Sequence, residues 1–392
     1  MSHVMNTYAR QPVAFVRGEG VWLWDEAGKK YLDALAGIAV NTLGYGHPKF
    51  KKALLDRINS GVIHTSNLWR IPDQEAAADR VAEITGLDEV FFCNSGLEAT
   101  EASIKVARKY GHDQGIAEPA IIVMEKAFHG RSLATLSATG SRKVQAGFEP
   151  LVQGFVRVPL NDLEAVRLAS ANRNISAVLI EPIQGKGGIN VSRLEYLRGL
   201  KQICDEKGWL FISDEVQCGR GRSGKWFVYQ HTGLQPDVVA LAKGLASGVP
   251  VGACVVGGRA KGVFKPGNHG STFGGNPLAM TAVVATIDII KEEGLMANSA
   301  RVGELFVSSL KSQIGGGVAD IRGMGLMIGV ELKEACGELV KQALDAGLVI
   351  NVTADNVVRL LPPLVMSEAE GRQVVERLVP LVKAFLDKRA AA

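Results

Sequence analysis

The sequence has few cysteines, and they follow no recognisable pattern. Five cysteines and seven histidines are dispersed over 392 residues, and no cysteine pair has the CxxC spacing that is typical of zinc sites and redox centres. We therefore expect neither a disulfide framework nor a metal site. A reducing, cytoplasmic location follows from the same observation.

Basic clusters and long apolar runs are also absent from the sequence. The net charge of +4 is small for a chain of 392 residues, and no block of lysine and arginine occurs, so nucleic acid is not expected as a partner. The apolar stretches are far shorter than the roughly 20 residues that a membrane-spanning helix needs. Residues 1–10 lack the apolar centre of a signal peptide. We expect no membrane partner.

What the sequence does contain is a regular alternation of short apolar runs and amphipathic segments. Apolar residues make up 47% of the chain and charged residues 21%, which is typical of a globular protein with a large core. From residue 90 to residue 256, valine-rich runs alternate with helical patterns, which predicts a mainly parallel, buried sheet. Beyond the long helix predicted over residues 276–293, the pattern changes to that of a smaller α+β unit.

Lys243 directly follows one of these buried strands, predicted over residues 238–241. A lysine at the mouth of a buried strand is partly desolvated, and desolvation lowers the pKa of its amine. A neutral amine can attack an aldehyde and form a Schiff base. A lysine whose ammonium simply reaches solvent at a strand end is the alternative interpretation of this residue alone.

Polar residues also follow three other predicted strands. Ligands of open parallel sheets bind beyond the carboxyl ends of the strands, so Ser95-Gly96, Glu181 and Asp214 are candidates for one site with Lys243. Ser95-Gly96 precedes a helix, whose free N–H groups favour a phosphate, although Ser95 could also be an ordinary N-cap. Asp214 could keep a pyridine nitrogen protonated, or it could cap a turn.

Nearby side chains could hold a flat, charged ligand. Phe128 could stack on a cofactor ring, and Arg131 could bind a carboxylate with two hydrogen bonds. Gln217 could donate to a ring hydroxyl, and Val216 could pack on a ring face. Ordinary core or surface packing is the alternative interpretation of Phe128, His129 and Arg131, and it is the favoured one for His129 in isolation.

A glycine-rich run over residues 219–225 suggests a different function. It matches GxGxxG and almost completes a phosphate-binding P-loop, but Trp226 stands where a serine or threonine should bind magnesium. The run also neither follows a strand directly nor opens a helix, as a dinucleotide-binding loop does. A nucleotide-dependent enzyme is therefore the less favoured alternative.

Six ordered motifs together resemble one family, the class III, or ω-, aminotransferases, which are fold-type I pyridoxal-phosphate enzymes. They are Phe92-Cys93-Asn94-Ser95-Gly96, Phe128-His129-Gly130-Arg131, Glu181-Pro182-Ile183-Gln184-Gly185, Asp214-Glu215-Val216-Gln217, Leu241-Ala242-Lys243-Gly244 and His269-Gly270-Ser271-Thr272-Phe273-Gly274-Gly275-Asn276-Pro277.

The resemblance covers essentially the whole chain and is greatest to the branch of the family that acts on acetylornithine. It implies an α/β fold in which a large pyridoxal-phosphate-binding domain spans residues 51–279. A smaller α+β domain would combine the N-terminal segment 1–50 with the C-terminal segment 280–392. The resemblance also implies a homodimer.

The resemblance assigns the cofactor contacts. Lys243 would form the Schiff base with pyridoxal 5'-phosphate and move the proton, and Asp214 would pair with the pyridinium. The other contacts would be made by Ser95 and Gly96 at the phosphate, Thr272 from the neighbouring subunit, Phe128 on the ring, Gln217 at the ring hydroxyl, and Glu215 and Val216 beside it.

It assigns the substrate contacts as well. Arg131 and Ser271 would contact N2-acetyl-L-ornithine, with Arg131 at its α-carboxylate. Arg359 would bind the α-carboxylate of 2-oxoglutarate or glutamate. Glu181 resembles the carboxylate that pairs with this arginine while the amino donor is bound.

The implied reaction transfers the δ-amino group of acetylornithine to 2-oxoglutarate. Three positions depart from the family pattern: Leu97 replaces a small residue, Lys186 stands where glutamate is expected, and Arg220 occupies a usually apolar position. None of these departures removes a catalytic group. Other ω-amino donors therefore stay as alternatives, namely succinylornithine, succinyl-diaminopimelate, ornithine and 4-aminobutyrate.

Overall fold

Three short strands and three helices form the first part of the chain. The computed structural model describes residues 3–390; residues 1, 2, 391 and 392, at the ends of the predicted small domain, lie outside the described residues. Helices α2 and α3 each begin at a proline, whose fixed φ suits the first helical position. The elements are β1 (Phe15–Glu19), β2 (Trp22–Asp25), β3 (Lys30–Asp33), α1 (Ala36–Ala39), α2 (Pro48–Asn59) and α3 (Pro72–Thr85).

The middle of the chain alternates strands and helices, as the sequence pattern predicts. Its elements are β4 (Glu89–Cys93), α4 (Gly96–Asp113), β5 (Ala120–Met124), α5 (Leu133–Ala138), α6 (Arg142–Gln145), β6 (Phe155–Val158), α7 (Leu163–Ala169), β7 (Ile175–Ile180), β8 (Ile183–Gln184), β9 (Asn190–Val191), α8 (Leu194–Lys207), β10 (Leu210–Asp214), β11 (Val238–Leu241) and β12 (Gly252–Val256).

Seven of these strands form one sheet in the order β4-β12-β11-β10-β7-β5-β6. Only β12 runs antiparallel to its neighbours, so the predicted mainly parallel sheet and the α/β fold class are confirmed. Every residue of β5, β7, β10 and β11 is buried, because helices cover both faces of a parallel sheet. This explains the nearly continuous apolar runs in the sequence.

The edge strand β6 was not predicted. It pairs only with β5, and its residues Phe155 and Val156 are half-buried while Arg157 is exposed. An edge strand needs no continuous apolar run, so its sequence differs little from that of a loop. The same reason applies to β13, which contains an arginine and a glycine.

The last part of the chain forms a second, four-stranded antiparallel sheet in the order β13-β14-β17-β16. Helices α10 and α12 pack against each other beside it. The elements are α9 (Pro277–Glu292), α10 (Leu295–Ile314), β13 (Asp320–Met324), β14 (Met327–Glu331), α11 (Leu339–Asp345), β15 (Leu348–Val349), β16 (Asn351–Thr353), β17 (Val357–Leu360) and α12 (Glu368–Ala390). Among the described residues, no helix has both the length and the apolar character that a membrane span requires.

The two ends of the chain share one hydrophobic core. Strand β15 pairs in parallel with β3, which places Leu348 opposite Leu32. Both leucines belong to the same buried cluster as Phe306 of α10. This pairing supports a small domain built from both ends of the chain. The boundaries at residues 50 and 279 stay a prediction, and α9 spans the second of them.

Helix α10 can approach the turn between β13 and β14 only because residue 303 is a glycine. A Cβ added to Gly303 would lie 2.2 Å from the carbonyl oxygen of Gly325. We expect Gly303→Ala to lower the free energy of unfolding by about 1–3 kcal/mol, because neither backbone can move away easily. Chemical denaturation followed by circular dichroism measures this change.

Gly371→Ala in α12 is the matched control. The atom nearest to its added Cβ is a methyl carbon of Val302 at 3.3 Å. Since alanine is favoured over glycine in a helix by up to about 1 kcal/mol, this variant should lose much less stability. Equal stability of the two variants would contradict the close packing of α10.

Candidate active site

The four strand ends that the sequence singles out meet around one cavity. Ser95 follows β4, Glu181 follows β7, Asp214 ends β10 and Lys243 follows β11, and all four line a cavity of about 390 Å³. They meet because the carboxyl ends of parallel strands lie at the same edge of the sheet. The segment 248–251, which precedes the antiparallel β12, closes the same edge.

The cavity is open to the N-terminus of α4, a helix of 18 residues. Ser95 caps this helix by accepting a hydrogen bond from the Glu98 N–H at 3.2 Å, so the N-cap interpretation is also correct. Gly96 has no room for a side chain, since an added Cβ would lie 2.5 Å from a methyl carbon of Val216. The backbone at Gly96 therefore forms the cavity wall, where the helix dipole favours an anion.

Asp214 is buried and held in one orientation. Its Oδ2 lies 2.8 Å from Nδ1 of His129, and its Oδ1 accepts a hydrogen bond from the Val216 N–H at 3.1 Å. The backbone N–H of His129 donates to the Thr139 hydroxyl, which fixes the loop. The sequence analysis did not link His129 to Asp214, because no motif connects residues that are 85 positions apart.

Lys243 combines an unusual backbone with an unbonded amine. Its φ of 46° lies in the left-handed region, which costs a non-glycine residue about 1 kcal/mol and persists only where the surroundings impose it. Within residues 3–390 no group hydrogen-bonds to its Nζ. Burial lowers the pKa of Lys243 from 10.5 to about 8, although Asp214 and Glu181 oppose this shift.

Glu181 lies on the cavity wall, and its Oε2 accepts a hydrogen bond from the Phe128 N–H at 2.6 Å. Burial and the neighbouring Asp214 raise the pKa of Glu181 to about 7, while His129 and Lys243 oppose the shift. The carboxyl group can therefore change its protonation state near neutral pH, where Lys243 also titrates.

Three further predicted residues line the same cavity, whereas Glu215 does not. Phe128, Val216 and Gln217 are on the wall. The Glu215 carboxylate instead accepts hydrogen bonds from the N–H groups of Val228 and Tyr229, at 2.9 and 3.3 Å, and caps the helical turn there. A buried carboxylate needs such donors, and the expected cofactor contact of Glu215 stays a prediction.

The two predicted substrate arginines occupy different depths. Arg131 is exposed on the cavity wall, and its guanidinium carbon lies 5.7 Å from the centre of the Phe128 ring. Arg359 is buried behind the wall, where it donates to Oδ1 of Asn351 at 2.9 Å and to Oε1 of Gln217 at 3.3 Å. Burial lowers the pKa of Arg359 to about 10.

The expected pairing of Arg359 with Glu181 is not formed in this structure. Among the ion pairs of the described residues, none joins these two side chains. Arg359 contacts neutral amide oxygens, and Glu181 contacts a backbone N–H. Pairing while an amino donor is bound stays a prediction.

Ser271 and Thr272 lie at the rim rather than on the wall of this chain's cavity. The Ser271 hydroxyl accepts a hydrogen bond from Nδ2 of Asn94 at 3.3 Å. Thr272 is exposed, and the neighbouring Phe273 is 63% exposed. Asn67 holds this loop by donating to the carbonyl oxygens of Ser271 and Gly274, at 3.0 and 2.8 Å.

The glycine-rich run 219–225 forms an internal support instead of a nucleotide site. Arg220 is buried, and its guanidinium donates to the carbonyl oxygens of Glu215 and Val216. Arg222 is buried too and donates to the carbonyl oxygen of Pro362 at 2.6 Å. Arg220 therefore stabilises the segment that carries Asp214 and Gln217, which accounts for a cation at a usually apolar position.

Comparison with known proteins identifies the class to which this site belongs. A sequence profile described as aminotransferase class-III matches residues 4–382. The chain belongs to the class III aminotransferases, which depend on pyridoxal phosphate.

Individual relatives agree with this assignment. An acetylornithine aminotransferase of Nitrosomonas europaea is 57% identical over 392 residues, covering 99% of this chain and 100% of the relative. The acetylornithine aminotransferase of Aquifex aeolicus is 45% identical, covering 98% and 100%.

Solved structures confirm the fold. The ornithine aminotransferase of Toxoplasma gondii matches with a TM-score of 0.95 at 32% identity, covering 98% of this chain and 94% of that one. The acetylornithine aminotransferase of Elizabethkingia anophelis matches with a TM-score of 0.87 at 34% identity, covering 97% and 96%.

The lowered pKa of Lys243 predicts how its reactivity depends on pH. In cofactor-free protein, reductive methylation of Lys243 with formaldehyde should rise with pH and reach half its maximal rate near pH 8, because only the neutral amine reacts. Peptide mass spectrometry at a series of pH values measures this rate.

Glu181→Gln provides the matched control. The negative charge of Glu181 raises the pKa of Lys243, so its removal should move the midpoint of the methylation profile to lower pH. A midpoint close to 10.5, the ordinary lysine value, would contradict the burial of this amine.

Proposed function

We propose that this protein transfers the δ-amino group of N2-acetyl-L-ornithine to 2-oxoglutarate and yields N-acetyl-L-glutamate 5-semialdehyde and glutamate. The observation that carries the proposal is the meeting of Lys243, Asp214 and the N-terminus of α4 around one cavity. It occurs in a class III aminotransferase whose relatives at 44–57% identity are named acetylornithine aminotransferases. The reaction belongs to arginine biosynthesis.

The residues fit pyridoxal 5'-phosphate. When bound, the cofactor supplies an aldehyde that reacts with amines and a pyridine ring that accepts electrons. The N–H groups at Gly96 would hold its phosphate, and Asp214 would hold the proton on its ring nitrogen. The amine of Lys243 has no hydrogen-bond partner within the described residues, and Gly96 exposes backbone rather than a side chain on the cavity wall.

Each of the remaining groups has a task for which its surroundings suit it. His129 keeps the Asp214 carboxylate turned toward the cavity. Phe128 and Val216 provide apolar surfaces for a flat ring, and Gln217 provides an amide at its edge. The Nζ of Lys243 would remove the proton from the carbon that carries the transferred amino group, and would return it at the other end of the shift. An amine that is neutral near pH 8 suits this exchange.

The substrates require carboxylate contacts at two depths. The α-carboxylate of acetylornithine lies far from its δ-carbon, and the exposed Arg131 on the cavity wall suits it. The expected contact of Ser271 with acetylornithine stays a prediction. The α-carboxylate of 2-oxoglutarate is next to the reacting carbon, and the deeper Arg359 suits it once the Gln217 amide moves aside. Glu181 could neutralise Arg359 while acetylornithine is bound.

An absorbance spectrum tests the proposal most directly. The purified holoenzyme should be yellow, and N-acetylornithine alone should bleach the visible band, because the amino group moves to the cofactor. Adding 2-oxoglutarate should restore the band. If only ornithine, succinylornithine, succinyl-diaminopimelate or 4-aminobutyrate bleaches the band, that amine is the amino donor in place of N-acetylornithine. A protein that stays colourless with added pyridoxal phosphate would contradict the proposal.

Lys243→Ala is the matched variant. It should fold and still bind the cofactor without a covalent bond, yet its turnover should fall by at least about 10³-fold, since both the nucleophile and the proton carrier are lost. Coupled detection of glutamate measures the rate, and circular dichroism verifies folding. Turnover at the normal rate would remove Lys243 from the mechanism.

We further propose a homodimer in which Thr272 reaches the phosphate in the partner subunit's site. Thr272 is exposed on its own chain and lies beside Phe273, which is 63% exposed. Leu68 and Trp69, on the segment that holds this loop, are 86% and 73% exposed. Apolar surface of this extent is typical of protein–protein contacts. A cytoplasmic location is also proposed, and the five free, buried thiols are compatible with it.

Mixed dimers test the contribution of Thr272. Thr272→Val removes one hydrogen bond to the phosphate, so the homodimeric variant should bind the cofactor about tenfold more weakly. A dimer of one Thr272→Val chain and one Lys243→Ala chain would regain a complete site. Tagged chains purified as mixed dimers should bind the cofactor with normal affinity at that site, and should have about half the activity of the unmodified dimer. A mixed dimer with the affinity of the Thr272→Val homodimer would place Thr272 in its own chain's site.

A further inference from the structure

Lys186 is a charged residue on the cavity wall that has no anionic partner. Its ammonium lies 4.7 Å from the centre of the Phe128 ring. Throughout residues 3–390, no carboxylate lies within ion-pair distance of its Nζ and no acceptor hydrogen-bonds to it. Burying half of an ammonium group without such a partner costs free energy. This position on the wall therefore favours the binding of an anionic ligand.

Close packing and a hydrogen bond fix the backbone around Lys186. A Cβ added to Gly185 would lie 1.9 Å from Oε1 of Gln217, and one added to Gly187 would lie 2.6 Å from the Lys126 carbonyl oxygen. The Lys186 carbonyl oxygen accepts a hydrogen bond from the Thr353 hydroxyl at 2.6 Å. The loop is therefore wedged between the cavity and β16, and its one long side chain lies on the cavity wall.

The charges around Lys186 make this part of the cavity cationic. Arg131 lies beside the same Phe128 ring, with its guanidinium carbon 5.7 Å from the ring centre. Arg359 stands farther back, behind Gln217. Burial lowers the pKa of Lys186, and the charges of Arg131, Arg359 and Lys143 lower it further. Glu181 opposes these charges only in part, because its Oε2 already accepts the Phe128 N–H.

Both proposed substrates bring a carboxylate that matches this position. N-Acetylornithine and 2-oxoglutarate each carry one carboxylate three or four bonds from the reacting carbon. The second carboxylate of 2-oxoglutarate is adjacent to that carbon and belongs to the deeper Arg359. Lys186 and Arg131 lie on the wall, and each can offer N–H donors to a distal carboxylate.

We propose that Lys186 is a specificity-determining residue that, together with Arg131, binds the substrate carboxylate distal to the reacting carbon. This inference rests on the proposed function, since it concerns the substrates of the same site. It makes the site selective for molecules in which a second anionic group stands at this distance. Monocarboxylates that end in a methyl group leave the Lys186 charge without a partner.

Unreactive acids test the inference without any chemical step. Glutarate has two carboxylates at the spacing of 2-oxoglutarate, and butyrate lacks the second one. Isothermal titration of the holoenzyme should show tighter binding of glutarate than of butyrate. Lys186→Met keeps the length of the side chain and removes its charge, so it should weaken glutarate about tenfold and leave butyrate unchanged. Lys186→Arg should restore most of the affinity for glutarate.

Lys341→Met is the matched control for a change in overall charge. The Lys341 side chain is 70% exposed and lies 2.7 Å from Asp345 in α11. It is neither on the cavity wall nor among the charges that shift the pKa of Lys186. Its removal should alter glutarate binding less than twofold. In steady-state assays, Lys186→Met should raise KM for N-acetylornithine and 2-oxoglutarate about tenfold with little change in kcat. A purely structural role would instead lower kcat or the thermal midpoint.

Three results would overturn the inference. The first is equal binding of glutarate and butyrate by the unmodified holoenzyme. The second is unchanged glutarate binding by Lys186→Met, and the third is an equal loss of affinity for both acids in that variant. These results are distinguishable from a failure of the proposed function. If N-acetylornithine bleaches the holoenzyme but one of these three results is found, the proposed function stands and only the proposed role of Lys186 is wrong. If none of the amino donors bleaches the visible band of the holoenzyme, the proposed function is wrong, whatever the binding of glutarate and butyrate shows.

Discussion

The burial of one amine beside two carboxylates is the constraint on which the site depends. Burial lowers the pKa of Lys243 to about 8 and the charges of Arg220 and Arg359 act in the same direction, while Asp214 and Glu181 oppose the shift. The fully buried strands β10 and β11 supply this desolvation at their carboxyl ends. The left-handed backbone at Lys243 is a local cost of placing the amine there.

The surrounding structure keeps these opposing charges apart. His129 and the Val216 N–H fix the Asp214 carboxylate, and the Phe128 N–H fixes that of Glu181. Among the ion pairs of residues 3–390, none joins either carboxylate to Lys243. Below them, the buried Arg220 holds the carbonyl oxygens of Glu215 and Val216, in the segment that follows β10, so a further set of polar contacts supports the positions of the catalytic groups.

Much of this arrangement was predictable from the sequence, for a physical reason. Strands that are buried on both faces have continuous apolar runs, so a polar residue that ends such a run is conspicuous, as Asp214 and Lys243 are. Contacts between residues distant in the chain leave no such pattern. The sequence therefore missed the link of His129 to Asp214, and it did not reveal that the Glu215 side chain caps a turn.

Depth within the site was the other property that the sequence did not reveal. A motif identifies Arg359 as an arginine near the substrate, but only packing shows that Gln217 stands between it and the cavity. Edge strands were missed because they carry mixed residues, as β6 does with Arg157. The family resemblance compensated for these gaps in the site, since it assigns residues by motif order and not by periodicity.

The pairing of β3 with β15 has a consequence for how the chain is made. Leu32 leaves the ribosome long before its partner Leu348, and the two belong to one core. At about 5–20 residues per second, the interval between them is roughly half a minute. During that time the large sheet can form. The residues of β1 to β3 that are buried in the finished fold still lack the core in which they will be packed. The N-terminal ribbon therefore cannot complete its core until about nine-tenths of the protein has been synthesised.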